Sequence, residues 1–519
     1  MSLLGSSDFA LTSYNPNVPF GVPMESIPLI SSTVYGVQWM AMRSNYWKYW
    51  EWFDGRALDT TDPTVKTGDP SLYPLKINPV EMVCTKHAGA LFGEVPDDSD
   101  SMVQFYYKNE KNVTDEVCES LADTLQNIWS ENNGRALQQQ NAIVSQFLGG
   151  SVFKVSYDRD NPDIRPSKIR IEAILPDFFL PVYDMTDPFN LIECYVMYYI
   201  SAQEAKSRYN VVIDNPNTTR ILYSEHWTKD SYEIQVGGQT PVFQVGMVDY
   251  VTKGKHGFGC VPFVYIPHLR RVGGFYGWSH VPSLIGISKE LNSRLTDIGD
   301  NVRDNAQSLY WVRNVAYALK VRRIEDQITV LDLGGSGPSG REPELNRLDV
   351  PASNTMASDY VKELWEYVEK AGAVPGVAWG NDEGSQRSAL TLSVRMWPLL
   401  SHIRDERSQW TMGFKYINRI ILKILASKGS DLISDGMEKL SCRVKWYNVM
   451  PRERLEQVEE MVARKGVNLV SKKQALITMS NSEDITAELS EIEADMEFEA
   501  KMQQIAKPPT QKAVSSGPL

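Results

Sequence analysis

The stretch from Ala371 to Lys428 limits what this chain can be more than any other. Its opening, Ala371-Gly-Ala-Val-Pro-Gly-Val-Ala-Trp-Gly-Asn-Asp-Glu-Gly384, carries Gly372, Pro375, Gly376, Gly380 and Gly384. No helix runs through such punctuation. The adjoining run to Lys428 has the opposite character. Leu390, Val394, Trp397, Leu400, Ile403, Trp410, Phe414, Ile417, Ile421 and Ile424 recur at largely helical spacing, one apolar stripe on a long helix. Pro398 falls inside it and is expected to kink rather than end it, because the stripe continues in phase on both sides. From Gln386 to Ala426 such a helix spans roughly 60 Å. A Gly-rich loop mounted on a long bent rod suits gating or mechanical work better than a small-molecule pocket.

The rest of the chain reads as helices first and strands after. An arm rich in Pro, Ser and Asn fills residues 1–35. Val37 to Phe53 is an aromatic-dense helix with apolar rings on more than one face. Asn78-Pro79 opens a second helix, ended by Gly93. Asp115 to Leu148 is a third, interrupted near Gly134. The period then changes to that of strands, at Gly149–Tyr157, Ile169–Ile174, Ile192–Ile200, Thr219–Thr228, Tyr232–Val236, Met247–Thr252 and Val261–Pro267. This order predicts an α+β fold.

Pro282 to Ser308 carries a narrow seam of Leu284, Ile287, Leu291, Leu295, Ile298 and Val302, as thin as a coiled coil's. Strand-like pieces at Leu309–Val312 and Ile328–Leu333 come next, then a Gly-rich turn, an extended run to Pro351 and a helix from Thr355 to Lys370. The excursion between the two helices is too small for a core of its own. After the long helix, Leu440–Tyr447 alternates and is expected to return to the sheet. From Pro451 the chain reads as short capped helices, acidic on their outer faces, ending in a tail from Lys507 expected to be disordered.

Enzyme signatures are missing or fail on context. Gly335-Ser-Gly-Pro-Ser-Gly340 matches a dinucleotide fingerprint, but the extended run Arg341–Pro351 comes after it where a helix must begin. There is no P-loop, no H-E-x-x-H and no G-x-S-x-G. The six histidines, His87, His226, His256, His268, His280 and His402, are scattered and read as surface or core residues. The acidic pairs Asp97-Asp98 and Asp382-Glu383 read as solvated loops. No metal or cofactor is expected. The five cysteines lie far apart with no C-x-x-C pair, so zinc ribbons are excluded and free thiols in a reducing compartment are expected. A net charge of -12 argues against a surface that binds nucleic acid all over. It permits a channel past which DNA slides without sticking. The start has no signal-peptide pattern and no apolar run approaches the roughly 20 residues of a membrane helix, so a soluble cytosolic product is expected. Basic residues gather in the excursion: Arg313, Lys320, Arg322, Arg323, Arg341 and Arg347. They form either an electropositive rim or a solvated face paired with Glu325, Asp326, Glu342 and Glu344.

Taken in order, these parts resemble the portal protein of tailed bacteriophages. The local residues that carry the likeness are Tyr46-Trp-Lys-Tyr-Trp-Glu-Trp-Phe-Asp-Gly55, the Asn78-Pro79 helix, and Gly384-Ser-Gln-Arg-Ser-Ala-Leu390 leading into the long helix. The resemblance implies an arm and α+β wing over 1–279 and stem helices over 280–306 and 354–371. Between them lies a small α/β clip over 307–353. A tunnel loop over 372–388 comes next, then a kinked tunnel helix returning to the wing over 389–450, and a helical crown with its tail over 451–519. It implies a homo-oligomeric ring, usually of twelve subunits, at one capsid vertex of the virion, assembled in the host cytoplasm. Double-stranded DNA passes along the ring's axis. Terminase docks on the clip, head-completion or neck proteins replace it, and the major capsid and scaffolding proteins surround the ring. Val374, Val377, Ala378, Trp379, Asn381, Asp382 and Glu383 would meet DNA sterically. The competing readings are a metal-dependent nucleic-acid hydrolase and a tail or baseplate structural protein.

Overall fold

The computed structural model describes residues 34–58, 75–96, 99–107, 114–157, 165–211, 220–245, 248–272, 274–306, 310–313, 321–323, 329–331, 344–347, 355–380, 389–433, 437, 440–449 and 463. The arm up to 33, the Gly335–Gly340 turn, Lys320, Arg341 and Asn381 to Glu383 lie outside the described residues. The chain divides into two compact units, Met1–Val449 and Met450–Leu519. The capped helices and tail expected from Pro451 onward fall in the second, of which only position 463, in a helix, is described.

The first unit begins with α1 (Val34–Phe53), whose Trp39, Met42, Tyr46, Tyr49 and Trp52 form one buried stripe. A second side is covered too, because Phe53 stacks on Phe147 at 4.2 Å and Trp50 meets the same ring edge-on at 4.6 Å. The next helix, α2 (Pro79–Phe92), starts where the sequence places it. The Asn78 side chain accepts from the Glu81 N–H, and Pro79 occupies the first turn, where a missing N–H costs nothing. The same Asn78 amide donates to Phe53 O at 2.7 Å, fixing α2 to the end of α1.

The expected third helix is two, α3 (Asp115–Glu131) and α4 (Gly134–Leu148), separated by Asn132 and Asn133. Asn133 sits in the left-handed region at φ 51°. The Asn132 amide donates to Ile128 O and Ile169 O and accepts from Ile171 N, so its bonds go to a strand instead of continuing the helix.

Short β1 (Gln104–Tyr106) precedes α3. The sheets come from β2 (Gly150–Tyr157), β3 (Ile169–Ile174), β4 (Phe179–Tyr183), β5 (Leu191–Ser201), β6 (Arg220–Thr228), β7 (Ser231–Val236), β8 (Val242–Val245), β9 (Val248–Val251), β10 (Lys253–Lys255) and β11 (Phe263–Pro267), with α5 (Ala202–Tyr209) between β5 and β6. One antiparallel sheet has the order β10-β7-β6-β5-β4, another β11-β2-β3, and β8 and β9 form their own hairpin. Strand β6 alternates buried and half-exposed residues along its length, the mark of a half-buried sheet.

Beyond the sheets run α6 (Val281–Ala306), β12 (Tyr310–Arg313), β13 (Val321–Arg323), β14 (Thr329–Leu331), β15 (Glu344–Arg347) and α7 (Thr355–Gly372). Among its described residues the excursion holds two separate ladders, β12 with β15 and β13 with β14. Val281 and Leu284 of α6 share the main core with Val368 of α7, so the two helices run antiparallel from one end. Leu291 and Leu364 are buried as well. The narrow seam is therefore buried within the chain at Leu284 and Leu291, while Ile287, Leu295 and Ile298 are half-buried. Only toward the far end does Val302 stand 61% exposed.

The last described elements are α8 (Ala389–Arg395), α9 (Trp397–Ser427) and β16 (Arg443–Lys445). The expected return to the main sheet is corrected: β16 pairs with β1 in a two-stranded sheet of its own. The long helix breaks at Met396, one residue before Trp397 and two before Pro398, as the proline demands. Met396 N donates to Leu392 O at 2.9 Å and Leu400 N to Met396 O at 3.0 Å, so helical bonding carries on through the break. The stripe is continuous only after the bend. Ile403, Trp410, Phe414, Ile417, Ile421 and Ile424 are buried, whereas Val394 and Trp397 are 65% and 55% exposed. Below the bend, α9 lies against β2 and β11, with Trp410 edge-on to Phe153 at 6.1 Å and Phe414 edge-on to Trp129 at 5.7 Å. Buried Trp129 donates to Asn418 Oδ1 at 3.0 Å, a polar pin across this aromatic layer.

Candidate functional site

The loop between α7 and α8 begins as a folded turn. Helix α7 ends at Gly372, and a side chain there would meet Val83 of α2 at 2.8 Å, so only glycine lets the two elements touch. Ala373 takes the left-handed conformation at φ 52° and donates to Lys370 O, while Val374 donates to Glu369 O at 3.0 Å. These bonds use up carbonyls left over at the helix end. Gly376–Trp379 is a 3-10 turn capped by Gly380 at φ 85°. The Glu369 carboxyl accepts from the Gly376 N–H, and burial nevertheless holds it above the usual carboxylate range.

This geometry separates the expected loop residues. Val374 has no exposed surface and belongs to the main core, so it anchors the loop and is withdrawn from the DNA-facing set. Val377, Ala378 and Trp379 are half-buried, with Ala378 and Trp379 against that core. Lys86 of α2 places its ammonium 5.5 Å from the centre of the Trp379 ring. Asn381, Asp382 and Glu383 belong to the part outside the described residues. The described part of the loop is a docked turn on α2, not a free strand of chain.

The helix pair above it is charged in both signs. On α7, Lys362 pairs with Asp359 at 3.2 Å and Lys370 with Glu366 at 3.1 Å. On α6, Arg294 pairs with Glu290 and Asp297. All are exposed i,i+3 or i,i+4 pairs, which water and salt screen so that they add little to stability. In the excursion, Arg313 stands in register with Glu344, Arg347 with Tyr310, Arg322 with Val330 and Arg323 with Thr329.

One arrangement was not legible from spacing. His87, His268, His280 and His402, scattered in the chain, meet beside Glu406 in the interior. Burial keeps these imidazoles below the usual histidine range, His87 at about 3, and pushes the Glu406 carboxyl up to about 8. The only hint in the sequence is His402 and Glu406 at i,i+4 on one helix face. Cys84, Cys118, Cys194 and Cys442 are buried free thiols and Cys260 is a half-buried one.

A family model described as phage portal protein, SPP1 Gp6-like, matches residues 83–502 of the 519. The chain belongs to this portal protein family. The match takes in the sheets, both antiparallel helices, the docked turn and the bent helix, and reaches into the second unit. A search of individually characterised proteins finds no match. Portal proteins are structural components of the phage capsid, which leaves the hydrolase reading without support. Among the described residues no helix of this portal protein is long and apolar enough to cross a membrane.

Proposed function

We propose that this portal protein assembles as a closed ring, of twelve copies as is usual for the family, at one vertex of the capsid, and that double-stranded DNA enters and leaves along its axis. In this reading the sheets and α1–α5 are the wing, α6 and α7 the stem, and β12–β15 the clip. Residues 372–388 are the tunnel loop, α8 and α9 the kinked tunnel helix, and the second unit the crown. Terminase docks on the clip during packaging, and neck or head-completion proteins take its place. The basic residues Arg313, Lys320, Arg322, Arg323, Arg341 and Arg347 supply a charged rim for that exchange. Scaffolding and major capsid proteins meet the wing.

The observation that carries the reading is the order at the foot of the stem: an antiparallel pair, a turn pinned to the body, then a helix that bends two residues before Pro398. A loop fixed at Val374 and Trp379 can present Val377, Ala378, Asn381, Asp382 and Glu383 as a collar. That set lacks any cation, and the chain carries a net charge of -12, so phosphates would pass without being held. Electron microscopy of the purified protein is expected to show rings with a central hole. Deleting Asn381 to Glu383 is expected to leave those rings intact while packaging or retention of DNA falls. A monomer or dimer, or full packaging by the deletion variant, would overturn the proposal.

A further inference from the structure

The interior cluster has the makings of a metal site, independently of the portal reading. Its parts come from separate elements: His87 from α2, His268 just after β11, His280 just before α6, and His402 and Glu406 one turn apart on α9. His87, His268, His280 and Glu406 are buried and His402 is half-buried. The ring centroids lie between 4.5 and 5.1 Å apart in five pairs, with His87 stacked on His280.

Second-layer bonds fix which atoms face inward. His268 Nδ1 donates to Trp278 O at 3.0 Å, which leaves its Nε2 as a lone pair. Glu406 Oε1 accepts from Gln146 Nε2 at 2.6 Å, with Trp410 and Ser145 also beside the carboxyl, and Oε2 lies 3.7 Å from His268 Nε2. His87 Nε2 donates to Gly372 O at 2.6 Å, and its Nδ1, like His280 Nε2, has no hydrogen bond. His87 Nδ1 and His280 Nε2 are thus buried without a hydrogen bond, which native interiors rarely tolerate without an ion or water. Carbonyl and amide partners behind the ligands are the usual second layer of a zinc site.

Distance then selects the ligands. Nitrogen and oxygen ligands about 2.0–2.2 Å from zinc stand roughly 3.4 Å apart around a tetrahedron. His268 Nε2 accepts from the His402 Nε2–H at 3.1 Å, a bond that a shared ion would replace, and lies 3.7 Å from Glu406 Oε2. We propose that His268, His402 and Glu406 bind one divalent transition-metal ion of the zinc class, with the His280 and His87 imidazoles closing its fourth side. Two imidazoles and one carboxylate suit such an ion and not calcium or magnesium. Because His87 also holds the Gly372 carbonyl, the ion would tie α2, the end of β11, the start of α6 and α9 together where the antiparallel pair and the loop join the body.

The test uses the untagged full-length protein loaded with Zn2+ or Co2+ and freed of excess. Elemental analysis is expected to give one ion per chain, and the Co2+ form the visible absorption bands of a four-coordinate site. Glu406→Gln keeps the shape and the bond to Gln146, yet is expected to weaken binding at least about tenfold. His402→Ala is expected to abolish it. His226→Gln and His256→Gln, outside the cluster, are expected to bind as the parent does. Binding by the parent that these two outer replacements remove, or Glu406→Gln with the parent's affinity and spectrum, would overturn the site, as would a parent that takes up no ion.

Discussion

Asp177 occupies a short turn before β4 and is almost fully buried, with Oδ1 lacking a hydrogen bond. Burial pushes its carboxyl from the ordinary 3.8 up to about 6, against the opposing pull of Arg43, its own backbone and Trp50. The folded value exceeds the unfolded one, so the neutral acid stabilises the protein below pH 3.8 and that contribution is lost as pH rises through 6. The difference corresponds to roughly 3 kcal/mol. Asp177→Asn removes the ionisation and keeps an acceptor for Trp50. Its stability advantage over the parent is therefore expected to grow as pH rises from 3.8 through about 6 and then level off, in denaturant unfolding. An advantage that stays flat with pH would mean that Arg43 neutralises the carboxylate in full. Nothing in the sequence marks Asp177, because its environment comes from α1, which lies more than a hundred residues earlier.

Elements were readable where period and punctuation agreed. Asn78-Pro79 and Gly93 bracket α2, and Ile169–Ile174 is a strand with the bounds its alternation indicates. The bend before Pro398 results from one missing N–H. What failed depended on distant partners. Asn132 breaks a helix because β3 claims its amide, and β16 pairs with β1 because the chain folds back by that route. At the site, the glycines marked the turn, but only the packing of Val374 and Trp379 shows that it is docked. The histidine cluster was hidden for the same reason, since its members come from four places in the chain. Gly413 of α9 shows how tight this packing is: a Cβ there would lie 2.3 Å from Ile266 Cδ1 on β11. Gly413→Ala is accordingly expected to cost roughly 1–3 kcal/mol, a typical overpacking penalty. Adding Ile266→Ala should make the pair non-additive, with the double variant losing less than the sum. Strict additivity in thermal unfolding would show that the helix does not press on this strand.

The proposed ring makes a demand on the surface of the single chain. Val302 of α6 and Met356, Tyr360 and Tyr367 of α7 are 61%, 86%, 40% and 43% exposed. Exposed apolar side chains are ordinary one at a time. Here they ride on two helices whose seam is buried at Leu284, Leu291, Leu364 and Val368 but opens toward Val302. Tyr367 donates to Glu363 Oε1 at 2.7 Å, but Val302 and Met356 stay largely open within the chain, and contact with the next copy would cover them. Val302 and Met356 lie near the end of the pair that adjoins β12–β15, away from the core that holds Val281 and Val368. The double substitution Val302→Asp with Met356→Asp puts two charges there without touching that core. Exposed substitutions of this kind change stability by no more than about 0.5 kcal/mol each. The variant is expected to keep the parent's circular dichroism while its ring fraction in sedimentation falls, because a carboxylate pressed between copies would lose its water without gaining a partner. Rings at the parent's yield would place the contact between copies elsewhere and leave these residues facing solvent.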